Sequence, residues 1–204
     1  MEQREGKRAL LWEGEPVLVY APPELVLPAG APRRAARWCR RLEAVWRKRW
    51  EGPLYQRARA AAQEARAASR PFQPWQASLT GTWTEGEGLL CLRWTAAETI
   101  KGRRYHLWGS GLWTMPSGRP AAAEELLGRG WRRWARAQAA EQAQARLEAG
   151  LSVFYPDWRR RLKRQVREER LFWTDDGWRL FCPMCSIAPP MEGTPVFSLV
   201  PPAK

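Results

Sequence analysis

The sequence contains a single histidine, His106, only four cysteines and no asparagine. One histidine cannot provide the ligand set of a His-based catalytic metal site. General base catalysis also needs a partner that orients the histidine or shifts its pKa, and no residue spacing in the sequence indicates such a partner for His106. No Gly-rich phosphate loop, G-x-S-x-G segment or nucleophile–base arrangement occurs. We therefore predict a protein that is not an enzyme and that binds no cofactor.

Long apolar runs are also missing. Because no stretch of about 18 apolar residues occurs, no membrane span is predicted. The first fifteen residues lack the apolar core of a secretory signal. If Met1 is the native start, we expect a cytoplasmic protein whose four cysteines stay reduced.

Acidic residues are outnumbered by basic ones. The chain has 34 Lys and Arg residues against 21 Asp and Glu residues, giving a net charge of +13. The excess is concentrated in residues 31–70, with 12 basic and 3 acidic residues, and in residues 129–170, with 12 and 5. Such a surface attracts nucleic acid or another anionic polymer. The simpler interpretation, which we favour at this point, is a solvated face on Arg-rich helices.

The hydrophobic pattern predicts an α+β fold, with antiparallel sheet packed against a long N-terminal helix and further C-terminal helices, ending in a β-hairpin and a short strand. Gly52-Pro53 should end or kink the long helix, and Gly109 and Gly111 indicate a bulge. We expect two interlocked parts, residues 1–120 and 121–204, or one domain. The predicted strands are 9–12, 16–20, 76–84, 89–95 and 104–115, and the predicted helices are 32–50, 54–68, 122–127 and 131–148.

Residues 154–197 carry the most specific pattern. Trp158, Leu162 and Val166 recur every four residues, which predicts a helix over 158–170 with Asp157 as its N-cap. Two bulky runs joined by Asp-Asp-Gly then predict a β-hairpin over 171–181. The Pro-rich segment 187–195 lacks the donors for a helix or central strand and should be a loop leading to a strand at 196–199.

This order of helix, F-x-x-T-D-D-G hairpin and I-A-P-x-x-x-G-x-P-V-F ending resembles a bacterial family of domains of unknown function, the DUF 3298 / DUF 4163 type. The family is shared with the ectodomain of lysozyme-sensing anti-sigma factors and a non-catalytic region of some peptidoglycan deacetylases. The resemblance implies a binding or sensing module, and members are often extracytoplasmic. The motif-bearing positions are Trp158, Phe172, Thr174, Asp175, Asp176, Gly177, Ile187, Ala188, Pro189, Gly193 and Pro195.

The family pattern also locates a candidate binding segment. Its Gly-Gly-Ala-His stretch corresponds to residues 102–106, and two family tyrosines correspond to Pro190 and Cys185. The scaffold therefore carries over more clearly than any family binding site. A mixture of Arg, Tyr and Trp suits contact with a protein or a glycan. The predicted binding residues are Arg103, Arg104, Tyr105, His106, Trp108 and Trp113.

The expected partner is a protein or an anionic polymer. Animal-type lysozymes are strongly basic, so a chain of charge +13 would repel them at long range. An acidic protein or a polyanionic glycan fits better, and nucleic acid is an alternative through the Arg-rich helices. The sequence leaves the oligomeric state open.

A third interpretation concerns Cys182-Pro183-Met184-Cys185. Two close thiols can form a redox pair or half of a zinc site. Zinc needs four ligands, however, and no second close pair of ligands is present. The segment after Cys185 is Pro-rich and cannot form the helix that lowers a thiol pKa in thioredoxin-like pairs. We favour packing as the role of both cysteines.

Overall fold

The computed structural model describes residues 6–202 and confirms the predicted α+β class, with a five-stranded sheet, a three-stranded sheet and five helices among these residues. The described chain divides into two compact units: residues up to 27, 36–81 and 95–106 form the first, and residues 28–35, 82–94 and those from 107 onward form the second. None of the described helices is both long and apolar enough to cross a membrane. Met1, on which the localisation prediction depends, lies outside the described residues, and the division at residue 120 stays a prediction.

The five-stranded sheet has the order β1-β2-β3-β4-β5. Two residues join β1 to β2, β3 to β4 and β4 to β5: Glu13-Gly14, Glu87-Gly88 and Lys101-Gly102, all with positive φ. Turns of this kind connect antiparallel neighbours, as predicted. The strands are β1 (Arg8–Trp12), β2 (Glu15–Tyr20), β3 (Trp75–Gly86), β4 (Leu89–Ile100) and β5 (Arg103–Thr114).

One neighbouring pair in this sheet was not predicted. Strand β2 lies parallel to β3, with Leu18 opposite Trp75 and Tyr20 opposite Ala77. Helices α1 (Arg33–Arg49) and α2 (Tyr55–Ala67) form the crossover that a parallel pair requires. Between them the helix does not end at Gly52-Pro53 but widens into a π-helical turn, Trp50–Leu54, because Pro53 has no N–H for a regular helical bond.

The first unit packs this helical segment against the sheet. Trp50 is fully buried, with its ring centre 5.7 Å from that of Tyr20, whose hydroxyl donates to Glu51. The carboxylate of Glu98 on β4 is also buried. It accepts from Nε and Nη2 of Arg49 at 2.6 and 2.8 Å and from the Trp50 indole at 3.3 Å. The buried charge is therefore paired and hydrogen-bonded.

The second unit holds the elements of the family-like stretch. Its three-stranded sheet has the order β6-β7-β8, with both pairs antiparallel. Ala135, Ala139 and Ala143 recur every four residues on α4 and are fully buried, and their small side chains let that helix lie close to the strands. The elements are α3 (Ala123–Leu127), α4 (Trp131–Glu148), α5 (Trp158–Lys163), β6 (Leu171–Thr174), β7 (Gly177–Phe181) and β8 (Val196–Leu199).

Two details of the predicted C-terminal helix are wrong. Helix α5 ends at Lys163 rather than near residue 170, and a 3₁₀ turn over Glu168–Arg170 follows it. Asp157 occupies the N-cap position, but its side chain makes no cap bond. Its carboxylate instead accepts from Arg160 and Arg161, each at 2.6 Å, because arginines three and four residues ahead compete with the backbone donors.

Candidate binding sites

Four of the six predicted binding residues lie together at the start of β5. Arg103, Arg104 and Tyr105 are exposed, and His106 is half-buried. Burial, followed by the charge of Arg104, lowers the pKa of His106 below its usual value. The lowered pKa favours the neutral imidazole at pH 7, and the positive charge of this segment comes mainly from the two arginines.

The two predicted tryptophans are packing elements of the second unit. Trp113 is 3% exposed, with its ring centre 6.0 Å from that of Trp83. Trp108 is half-buried, and its ring centre lies 6.0 Å from the ring centre of Phe181. The guanidinium of Arg93 lies 5.2 Å from the centre of the Trp108 ring. These rings are occupied by intramolecular contacts and do not form an open aromatic platform.

The first unit carries a cleft of about 900 Å³ along its strands. Four basic residues line it: Lys7 and Arg8 at β1, Lys101 in the β4–β5 turn, and Arg104 on β5. No acidic residue is among the lining residues. A concave surface with one sign of charge concentrates the electrostatic field and attracts anions.

Strand alternation explains the floor of this cleft. Val19 is opposite Gln76, and both point away from the face that buries Tyr20 and Trp75. Ser78 lies two residues beyond Gln76, and Thr99 contributes a hydroxyl from β4. The floor therefore offers neutral hydrogen-bonding groups, and the rim offers cations.

Sequence reasoning found only Arg104 among the four basic residues that line the cleft. Lys101 carried a weak signal, since its Lys-Gly turn stands directly before the predicted segment. Lys7 and Arg8 carried none, because they reach the cleft through the pairing of β1 with β2 and the parallel pairing of β2 with β3. Arg8 is paired with Tyr20 and its side chain lies near the Tyr20 hydroxyl, where it opposes the rise that burial and Glu51 cause in the tyrosine's pKa. Its guanidinium is therefore on the other face of the sheet from Val19 and Gln76, and the cations that face the cleft are Lys7, Lys101 and Arg104.

The motif-bearing residues of the family-like stretch have structural roles. Trp158, Phe172, Ile187 and Ala188 are buried. The Thr174 hydroxyl donates to the Gly177 carbonyl at 3.1 Å, which closes the turn that contains Asp175 and Asp176. The Pro195 carbonyl accepts from the Cys182 N–H at 2.8 Å, and Pro189 and Gly193 flank a 3₁₀ turn.

The two cysteines of the C-P-M-C segment differ in environment. Cys182 is fully buried, and this burial raises the pKa of its thiol to about 12. Cys185 is exposed. Within residues 6–202, no three His, Cys, Asp or Glu side chains are grouped to hold a metal ion. A thiol that stays protonated is a poor redox nucleophile and a poor zinc ligand.

Comparison with known proteins gives a structural similarity at low sequence identity. No family model matches the sequence, and no curated protein is significantly similar to it. Among solved structures, the chain is similar to the crystal structure of a DUF3298 family protein from Pseudomonas aeruginosa PAO1, with 17% sequence identity and a TM-score of 0.43. The match covers 68% of this chain and 64% of that protein. This chain therefore spans less than two thirds of the length of the protein it matches. DUF3298 is also the family type that the residues at 154–197 resemble.

Proposed function

We propose that this protein is a non-catalytic binding module that holds an anionic polysaccharide in the cleft of the first unit. The observation that supports this most strongly is the lining of the cleft, with the cations of Lys7, Lys101 and Arg104 and no carboxylate. The cations pair with carboxylate or sulfate groups of the polymer, and Gln76, Ser78 and Thr99 hydrogen-bond to sugar hydroxyls.

Charge also supports the choice of partner. A net charge of +13 steers polyanions toward the protein and repels basic proteins. Because ion pairs between exposed groups are screened by salt, affinity should fall steeply as the salt concentration rises. A neutral polysaccharide offers no such pairing and should bind far more weakly.

The test compares a sulfated glycan, heparin, with neutral dextran by titration calorimetry over a salt series. Lys101→Glu/Arg104→Glu places two acidic groups in the cleft and should weaken heparin binding by at least about tenfold, because two charge-assisted contacts become repulsive. We choose these two positions because neither makes an ion pair within residues 6–202.

The matched control is Arg40→Glu/Arg41→Glu on α1, which changes the net charge equally at exposed positions outside the cleft. Both variants should keep the wild-type circular dichroism spectrum. If the control loses as much heparin affinity as the cleft variant, binding depends on total charge and the cleft assignment is wrong.

A second candidate function is nucleic-acid binding through α1, and one observation favours it. Arg37, Arg40 and Arg41 are exposed and have no acidic partner within the part of the chain that the structure describes. Glu43, the one acidic residue of α1, accepts from the Leu25 N–H at 2.7 Å instead. Under this function, Arg40→Glu/Arg41→Glu would lose binding to single-stranded DNA and RNA, and the cleft variant would keep it.

A further inference from the structure

The second unit has a cationic hollow of its own between α4 and α5. It has a volume of about 360 Å³, and the buried side chain of Val166 lies at its lining. Four basic residues surround it: Arg132, Arg133 and Arg136 from α4, and Lys163 from α5. The hollow is thus separate from the cleft of the first unit and shares no residue with it.

The charges in this hollow are poorly compensated. Glu168 Oε1 lies 3.6 Å from Nη2 of Arg132, and the Arg132 guanidinium also stacks 5.0 Å from the centre of the Trp131 ring. Arg133, Arg136 and Lys163 have no ion-pair partner among residues 6–202. Like charges that converge on one concavity repel one another, and a bound anion removes that repulsion.

We propose that this hollow binds a compact, multiply charged phosphate, either pyrophosphate or the phosphate of a small monoester. Arginine presents a planar fork of donors that matches tetrahedral oxyanions, so the three arginines and Lys163 can surround one such group. The Trp131 ring and Glu168 hold Arg132 in place before the ligand arrives. The small volume suits a compact anion and not an extended polymer.

The experiment titrates inorganic pyrophosphate into the full chain by calorimetry at low ionic strength, with thermal unfolding as a second readout. The wild-type protein should bind pyrophosphate and unfold at a higher temperature in its presence. Arg133→Gln/Arg136→Gln should lose at least about tenfold in affinity, since it removes two charge-assisted contacts. Arg40→Gln/Arg41→Gln, which removes the same charge from α1, should bind as the wild type does.

A further pair of measurements separates this site from the cleft. Lys101→Glu/Arg104→Glu should keep its pyrophosphate affinity, and Arg133→Gln/Arg136→Gln should keep its heparin affinity. A hexose phosphate should compete with pyrophosphate, whereas a single-stranded oligonucleotide should not. The proposal is overturned if the wild type shows no pyrophosphate binding at low ionic strength, if the α4 variant binds it equally well, or if the oligonucleotide alone binds through Arg133 and Arg136.

Discussion

The side-chain amide of Gln142 on α4 pairs with the backbone of Ser198 on β8. Its Nε2 donates to the Ser198 carbonyl at 2.6 Å, and its Oε1 accepts from the Ser198 N–H at 3.0 Å. Gln138 makes the same two bonds with Val200, at 2.7 and 2.8 Å, and Arg146 donates to the Val196 carbonyl at 2.7 Å. Four residues of helix advance about 6 Å and two of strand about 6.7 Å, so the spacings match. The helix side chains take the place of a further strand along the edge of β8.

Removing these amides should weaken the second unit. Gln138→Ala/Gln142→Ala breaks four hydrogen bonds to the backbone of Ser198 and Val200. We expect a loss of about 2–3 kcal/mol in the free energy of unfolding, because hydrogen bonds to water replace the lost bonds only in part. The free energy of unfolding is measured by urea denaturation, with circular dichroism as the signal. Gln144→Ala is the control, since among residues 6–202 Gln144 bonds only to the side chains of Glu148 and Arg159, and it should change stability by less than about 0.5 kcal/mol.

The pairing of Gln142 with the Ser198 backbone leads to a second prediction, which concerns the side-chain donor. Gln142→Glu puts a carboxylate, which has no donor at neutral pH, against the Ser198 carbonyl. The variant should be less stable than the wild type at pH 7 and should recover part of the difference near pH 4, where the carboxyl regains a proton. A difference that stays constant between the two pH values would contradict the pairing.

The two members of the Arg49–Glu98 pair should respond unequally to replacement. The side chain of Glu98 is 9% exposed and that of Arg49 is 46% exposed. Among residues 6–202, Arg49→Ala leaves the buried carboxylate with only the Trp50 indole as donor, and it should cost about 3 kcal/mol in the free energy of unfolding. Glu98→Gln removes the buried charge while Arg49 turns to solvent, and should cost about 1–2 kcal/mol. Arg47→Ala on the same helix is the control, and equal losses in the two variants would show that the carboxylate is not the costly partner.

Gly109 is expected to tolerate no side chain. A Cβ at this position would overlap with Cζ2 of Trp94, and neither Gly109 nor Gly111 has a positive φ. Gly109→Ala should therefore destabilise the protein by about 2 kcal/mol or more, since the half-buried ring of Trp94 has to move. Gly52→Ala, where nothing lies within 4 Å, should be neutral or slightly stabilising in its helical segment. The midpoint temperatures of thermal unfolding of both variants and the wild type test this prediction.

The four cysteines should react with a thiol reagent at different rates, because their exposure differs. Cys39, Cys91 and Cys182 are buried and Cys185 is exposed. In the native protein, a thiol reagent should label Cys185 quickly and the other three only after denaturation, when all four cysteines react. Cys185→Ser should abolish the fast phase. Fast labelling of Cys182 would show that the buried environment described for it is incorrect.

Alkaline pH should weaken the contribution of Cys182. Its thiol has a pKa of about 12 in the folded protein against an ordinary value of 9.0, so the unfolded chain releases this proton first. The contribution is fully present below pH 9 and is lost as the pH rises toward 12. Urea unfolding between pH 8 and about pH 10.5 should therefore show the stability advantage of the wild type over Cys182→Ala shrinking, by at most about 1.4 kcal/mol per pH unit. Cys185→Ala should show no such trend.

The elements with local signals could be predicted from the sequence. The bounds of α4, Trp131–Glu148, are those predicted, because Gly130 and Gly150 delimit a run of helix-forming residues. The hairpin of β6 and β7 followed in the same way from Asp-Asp-Gly between two bulky runs. In each case the residues that fix the structure are neighbours in the chain.

What could not be predicted depends on residues far apart in the chain. Gln138 and Gln142 have the spacing of ordinary polar helix positions, and their backbone partners lie 62 and 56 residues away. The cleft likewise requires Lys7 and Arg8 beside Lys101 and Arg104, which only the sheet order brings about. The bulge suggested by Gly109 and Gly111 stays a prediction, and the structure shows indole rings over both glycines. Sequence periodicity does not encode which ring covers which glycine.

The parallel pairing of β2 with β3 has a consequence for the nascent chain. Synthesis runs from the N-terminus, so β2 leaves the ribosome before α1 and α2 and well before its partner β3. Val17, Leu18 and Tyr20, which are buried in the finished protein, therefore spend this interval without their neighbouring strand. If synthesis halts before Trp75, the nascent chain exposes an unpaired apolar surface that chaperones recognise. If synthesis halts after the whole first unit has emerged, that surface is already buried and chaperones should not bind it.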